Sequence, residues 1–226
     1  MNLLDRPMLG WLPEGASTYA GDIDHIFRMI YYITAAIFIL VTVLMVWFLV
    51  KYRYKAGDGR RATYTHGNTI LELIWTIAPT IVFVGIFFYS KATWSDIKIT
   101  VPPHDVEVRV VGKQFAWEVH YPGPDGQFNT TDDKMLDGEL HVPVNKVVRV
   151  ILRGQEVIHS FFVPAFRIKQ DALPGRDVIT WFNATKPGRY DMPCAELCGP
   201  GHSGMKGWVT VHADADYQTW VQQQWQ

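Results

Sequence analysis

The sequence predicts a membrane hairpin of two helices followed by an all-β sandwich or Greek-key barrel. Two long uncharged apolar runs stand within the first 95 of 226 residues. From about Val106 the pattern changes to short stretches rich in Val, Ile and aromatic residues, divided by Pro, Gly and Asn turns. A net charge of −1 averages over these two unlike halves.

The first run, residues 29–50, holds 22 residues without a charge between Arg28 and Lys51. About 20 residues of helix cross a bilayer core. A soluble amphipathic helix shows a polar stripe, and this run shows none. The second run, residues 73–90, holds 18 uncharged residues between Glu72 and Lys91, and its helix is expected over about 70–90, starting near Thr69. Pro79 interrupts it, which membrane helices tolerate when neighbours satisfy the freed carbonyl.

The loop between the runs carries Lys51, Arg53, Lys55, Arg60 and Arg61 against Asp58. Short loops rich in Lys and Arg stay cytoplasmic, so both termini are expected outside. The first 25 residues lack the charged-then-apolar order of a cleaved signal, and the first run is expected to persist as a helix. Domain boundaries follow: residues 1–95 for the N-terminal segment and helices, and 96–226 for an outside domain.

In the outside half, residues 106–121, 146–154, 157–164, 177–185 and 206–213 read as strands. Turns are expected at Pro122-Gly123, Pro124-Asp125-Gly126, Val144-Asn145-Lys146 and Lys186-Pro187-Gly188. Residues 123–134 form a polar excursion. Its Asp125, Asp132 and Asp133 do not match the helix-loop-helix calcium spacing, and a solvated hairpin loop is expected. The last residues read as a short helix capped by Asp214. From Lys91 onward there are 14 Lys and Arg against 16 Asp and Glu, a balance that gives no sign of nucleic-acid binding.

Chemistry concentrates in residues 194–205, where Cys194, Cys198, His202 and Met205 stand among Gly and Pro; His159 lies 35 residues upstream of Cys194. Three readings compete. A Cys194–Cys198 disulfide suits an outside face but leaves His202 and Met205 without a role. Zinc on two cysteines and two histidines satisfies tetrahedral geometry and leaves Met205 idle. Copper takes thiolate, imidazole and thioether together, the ligand set of electron-transfer copper. A single blue copper needs only one cysteine, whereas two thiolates can bridge two coppers.

The chain resembles subunit II of cytochrome c oxidase, over a span from the first helix to about Val211. The resemblance rests on Cys194-x-Glu196-x-Cys198-x-x-x-His202-x-x-Met205, His159-Ser160-Phe161, Lys169-x-Asp171-x-x-Pro174-Gly175-Arg176 and Glu72-x-x-Trp75-Thr76-Ile77. It implies a dinuclear copper centre in a cupredoxin-like Greek-key sandwich. Cys194 and Cys198 would bridge the metals, with His159 and His202 terminal. Met205 and the Glu196 carbonyl would be axial. It further implies that the Glu196 carboxylate holds magnesium at the interface with a haem-bearing catalytic subunit.

Glu72 reads two ways, as half of a capping box with Thr69 and, from the resemblance, as the entrance of a proton pathway. Relatives often carry Gln-Trp-x-Trp where this chain has Gln114-Phe115-Ala116-Trp117. Phe115 therefore occupies the position where electrons enter, with Trp117 as either core or the surviving aromatic contact. His25, His66, His104, His120, His141 and His212 are expected in loops or strands rather than as ligands.

The expected function is that of an electron-accepting subunit of a respiratory haem–copper oxygen reductase in a bacterial cytoplasmic membrane. It would work with catalytic subunit I, other oxidase subunits and membrane lipid, and oxygen reduction would be coupled to proton translocation. No Cys-x-x-Cys-His haem motif is present, so the expected donor is a separate protein, cytochrome c or another small redox carrier. The alternatives are a copper-free quinol-oxidase subunit, a nitric oxide reductase subunit using the same copper module, and a membrane-anchored copper-delivery protein.

Overall fold

A computed structural model describes residues 12–57, 59, 61 and 63–225. Asp58 and Arg60 of the basic loop, and residues 1–11, lie outside the described residues. Two compact units emerge, one of Asp24–Trp94 and one that joins Ser95 onward to the described residues through Ile23.

In the first unit the apolar runs become α1 (Ala20–Lys51) and α2 (Thr69–Lys98). At 1.5 Å per residue these are about 45–48 Å long, more than the roughly 30 Å of a hydrocarbon core. No part of the 18-residue apolar window in either helix is buried in protein. Leaving so many Leu, Ile, Val and Phe side chains in water would cost about 1.5–3 kcal/mol each, which a bilayer removes. Pro79 sits inside α2 without ending it, and the Thr80 hydroxyl donates to the Thr76 carbonyl at 2.6 Å.

Two local expectations need correction. Asn68, not Thr69, caps α2: its Oδ1 accepts from the amides of Ile70 and Leu71 at 3.0 and 3.2 Å. Thr69 is the first helical residue, so Glu72 falls one position beyond a capping box, and its carboxylate folds back over Gly67. His25 lies in α1 rather than in a loop or strand.

Among the described residues the second unit has ten strands: β1 (Val106–Lys113), β2 (Ala116–Tyr121), β3 (Lys134–Asp137), β4 (Glu139–Pro143), β5 (Val147–Gly154), β6 (His159–Val163), β7 (Ile168–Ala172), β8 (Val178–Asn183), β9 (Gly188–Asp191) and β10 (Trp208–His212). They form sheets of order β3-β2-β1-β5-β8 and β4-β10-β9, with a β6-β7 hairpin. The β1–β5 and β4–β10 pairs are parallel and the rest antiparallel. Alternation puts Val108, Val110, Trp117, Val119, Val148, Val150 and Leu152 of the larger sheet inward. They meet Leu140, Val142, Val209 and Val211 of the smaller one in a single buried core.

The stretch 106–121, expected as one strand, divides at Gln114-Phe115 into two antiparallel strands, with Lys113 paired to Ala116. Residues 123–134 do link a hairpin, β2 to β3. The last helix, α3 (Asp214–Gln224), is capped by Ala213 rather than Asp214, without a side-chain bond; Asp214 and Asp216 instead place charge in its first turn, where the helix dipole favours it.

Strands β3, β4, β7 and β9 lie outside the stretches read as strands, and so does one further element. Residues 16–19 run beside β8: the Ala16 amide bonds the Ala165 carbonyl at 2.8 Å, and the Thr18 amide bonds the Asn183 carbonyl at 3.1 Å. Ala16 and Tyr19 are buried, and the Tyr19 hydroxyl donates to the Trp181 carbonyl at 3.1 Å. A boundary at residues 95 and 96 assigns this segment to the helices, but its contacts lie with the sheets.

Candidate metal centre

The loop from residue 192 to 207 joins β9 to β10, and its two ends are laced together. Met192 and Gly207 exchange backbone hydrogen bonds of 2.8 and 3.0 Å, and the Cys194 amide reaches the Met205 carbonyl at 3.1 Å. Gly207 also lets the Gly138 backbone approach, since a Cβ there would fall 2.8 Å from the Gly138 carbonyl oxygen. A short 3-10 turn over His202–Gly204 then folds His202 and Met205 back towards the cysteines. On the far side, β6 presents His159 from a fully buried position, and the Ala195 amide bonds the Ser160 carbonyl at 3.0 Å.

The result is a cluster of soft and borderline donors. Both cysteines are free thiols, with Sγ atoms 3.9 Å apart. Cys194 Sγ lies 3.9 Å from His159 Nδ1 and 3.3 Å from the Glu196 carbonyl oxygen. Cys198 Sγ lies 3.6 Å from His202 Nδ1 and 3.8 Å from Met205 Sδ. Cys194, Cys198, His159 and Met205 are all buried, whereas the Glu196 residue is exposed. Among the described residues, His159, Cys194 and Cys198 are the group of three whose donors lie mutually within metal-binding reach.

Burial disfavours the charged forms of two of these side chains. Burial pushes the Cys198 thiol up, and Cys194 beside it adds to the effect. Burial also holds His159 below its ordinary value, with Glu156 opposing and His202 reinforcing. A metal bound here would have to displace thiol protons.

Of three further candidate residues, Trp117 and Phe115 border the cluster, and Glu72 lies in the helical unit. Trp117 is fully buried and meets the His159 ring edge-on, with centroids 6.0 Å apart, so it is core. Phe115 is 37% exposed and its ring rests on Gly199 and Gly201 of the metal loop. Glu72 belongs to the helical unit.

Two glycines that the motif reading passed over shape the site. A Cβ at Gly112 would lie 2.7–2.9 Å from the His159 side chain, and one at Gly201 would run into the Phe115 ring. Their only sequence signal is a glycine inside a strand pattern and one inside a ligand loop.

Comparison with known proteins gives these features a family. The family description "Cytochrome C oxidase subunit II, periplasmic domain" matches residues 106–212, and the corresponding transmembrane domain matches residues 6–92. The alternative cytochrome c oxidase subunit 2 of Bradyrhizobium diazoefficiens is 31% identical, over 95% of this chain and 83% of that one. Cytochrome c oxidase subunit 2 of Cereibacter sphaeroides is 32% identical, over 99% and 83%. That of Thermostichus vulcanus is 33% identical, over 95% and 78%. Among solved structures, the periplasmic domain of cytochrome oxidase subunit II of Bradyrhizobium japonicum is 37% identical, covering 55% of this chain and 96% of that chain, with a TM-score of 0.49. With the helix pair and the β domain each matched, and relatives aligned along nearly the whole chain, this protein belongs to the cytochrome c oxidase subunit II family.

Proposed function

We propose that this chain is the electron-accepting subunit of a membrane-bound haem–copper oxidase and that residues 159 and 194–205 hold a dinuclear copper centre. The observation that carries the reading is the convergence of two free thiols, two imidazoles, a thioether and a backbone carbonyl, with neighbouring donors 3.3–3.9 Å apart. This donor set fits copper: the thiolates are soft and paired, and Met205 supplies the weak ligand that zinc leaves idle. Cys194, Cys198, His159, His202, Met205 and the Glu196 carbonyl would hold the metals. Such a centre, when bound, exchanges one electron shared between two metals, so that little geometry changes on reduction.

The chain's own residues account for the rest. β6 and the laced 192–207 loop fix the ligands before metal arrives, which keeps reorganisation small. Trp117 packs edge-on against His159, and Phe161 against Trp117 in turn, in a setting where His159 is closed to water. Phe115 presents a partly exposed ring on the metal loop and is the proposed point where electrons enter from a separate carrier. The exposed Glu196 carboxylate is free to reach outward to magnesium held jointly with the haem-bearing subunit, since a hard oxygen ligand suits that ion. Domain boundaries near residues 23 and 95, a copper domain outside a bacterial cytoplasmic membrane, and Glu72 at a cytoplasmic proton-pathway entrance complete the proposal. The positive loop, with Lys51, Arg53, Lys55 and Arg61 among the described residues, supports that orientation.

Metal analysis and electron paramagnetic resonance of the isolated full chain in detergent test the site. Two coppers per chain, sharing one unpaired electron after one-electron oxidation, are expected. A single tightly held zinc, or a Cys194–Cys198 disulfide with no copper uptake, would refute it.

A further inference from the structure

Gln114 and Phe115, which join β1 to β2, lie outside the ligand set yet grip the loop that carries it. Gln114 Nε2 donates a 2.6 Å hydrogen bond to the carbonyl of Cys198, 84 residues away in sequence. Gly199, at φ +134°, takes a conformation that suits glycine, and a Cβ there would meet Gln114 Nε2 at 2.9 Å and the Phe115 ring at 3.0 Å. The Phe115 ring also covers Gly201. Gln114 is itself tethered, its amide donating to the Glu156 carboxylate at 3.3 Å. The segment 198–201 is thus held from one side by an amide and a ring, next to the thiol of Cys198.

We propose that Gln114 is a positioning residue of the metal centre that raises its electron affinity; the inference rests on the copper reading above. Two effects act together. The hydrogen bond fixes the Cys198 carbonyl and, one rotatable side chain away, the direction of Sγ. The positive end of the amide dipole also points at a carbonyl beside the centre, which favours the more electron-rich, reduced state. A donor of this kind is worth a net hydrogen bond, about 1 kcal/mol, or roughly fivefold in an equilibrium constant.

Gln114 is exposed, so its replacement removes no core packing. The experiment compares the full chain with Gln114→Leu and Gln114→Glu, each loaded with copper, by metal content and by electron exchange with a one-electron reference couple. Amide hydrogen exchange at His202, whose N–H bonds the Gly199 carbonyl at 3.0 Å, is followed in the metal-free chains. Gln114→Leu should keep two coppers, shift the exchange equilibrium roughly fivefold towards the oxidised form, and speed hydrogen exchange at His202 by a similar factor. Gln114→Glu, which replaces the donor by a negative charge, should shift the equilibrium further the same way. An unmoved equilibrium in both loaded variants overturns the proposal, even if hydrogen exchange quickens. Failure of the unaltered chain to take up copper is a different result: it removes the copper reading, and unchanged His202 exchange would then overturn the positioning role as well.

Discussion

Replacing Gly112 by alanine drives a methyl group against the His159 imidazole. Gly112 lies in β1, opposite Trp117 on β2 and Gly154 on β5, and its backbone conformation is one that alanine adopts without strain. The new Cβ would stand 2.7 Å from His159 Cγ and 2.9 Å from Cβ and Cδ2, whereas ordinary contact begins near 3.4 Å. The ring must therefore move by about 0.7 Å, and Trp117, packed edge-on against it, restricts the retreat. Overpacking of this kind costs about 1–3 kcal/mol. The displacement also moves Nδ1 relative to Cys194 Sγ, now 3.9 Å away. Urea unfolding of the metal-free full chain should show the packing cost. The copper-loaded chain should lose more stability than the metal-free one, because a ligand is displaced as well, and its copper spectrum should change. Gly204→Ala, in the metal loop but facing open space, is the control and should stay within about 0.5 kcal/mol. A Gly112→Ala chain with unaltered stability and an unaltered copper spectrum would refute the assigned packing of His159.

Three further outcomes are expected. Burial, then His212 and Arg189, lowers His141 to about 4 from an ordinary value of 6.5; the unfolded chain therefore binds that proton first, and stability is whole above about 6.5 and falls as pH drops from there towards 4. For a half-buried ring this is roughly 1–2 kcal/mol after screening; it should appear as a falling unfolding midpoint, and His141→Gln should flatten it, so a midpoint independent of pH over that window contradicts the assignment. If the proposed copper site is right, Met205→Leu should keep two coppers per chain and shift the reduction potential, because a thioether is a weak donor that tunes the metal; complete copper loss, measured by metal analysis, would make Met205 a primary ligand. On the same reading, Cys198→Ser should abolish the two-copper spectrum, since a hydroxyl is a poor copper donor compared with a thiolate.

Local periodicity was enough to read the two apolar helices and the strand-rich half, and residue chemistry singled out the cluster of cysteines, histidines and methionine. An uncharged run of 22 residues has one stable home, and two cysteines, a histidine and a methionine within 12 residues leave few chemistries open. Other features depended on long-range contacts that no spacing encodes. Whether Trp117 faces solvent or core follows from β2 pairing with β1 and from β6 packing across it. The break of one apparent strand at Gln114-Phe115 places those residues against a loop 84 positions away. Asn68 outcompetes Thr69 as a cap because its carbonyl oxygen reaches two free amides. Ala16 joins the β core through backbone bonds, and Tyr19 through its hydroxyl, to residues some 150 and more positions distant. Side-chain types along the chain determined which atoms could bind a metal; the closing of the 192–207 loop onto β6 decided that they meet, because only tertiary packing brings His159 within 3.9 Å of Cys194.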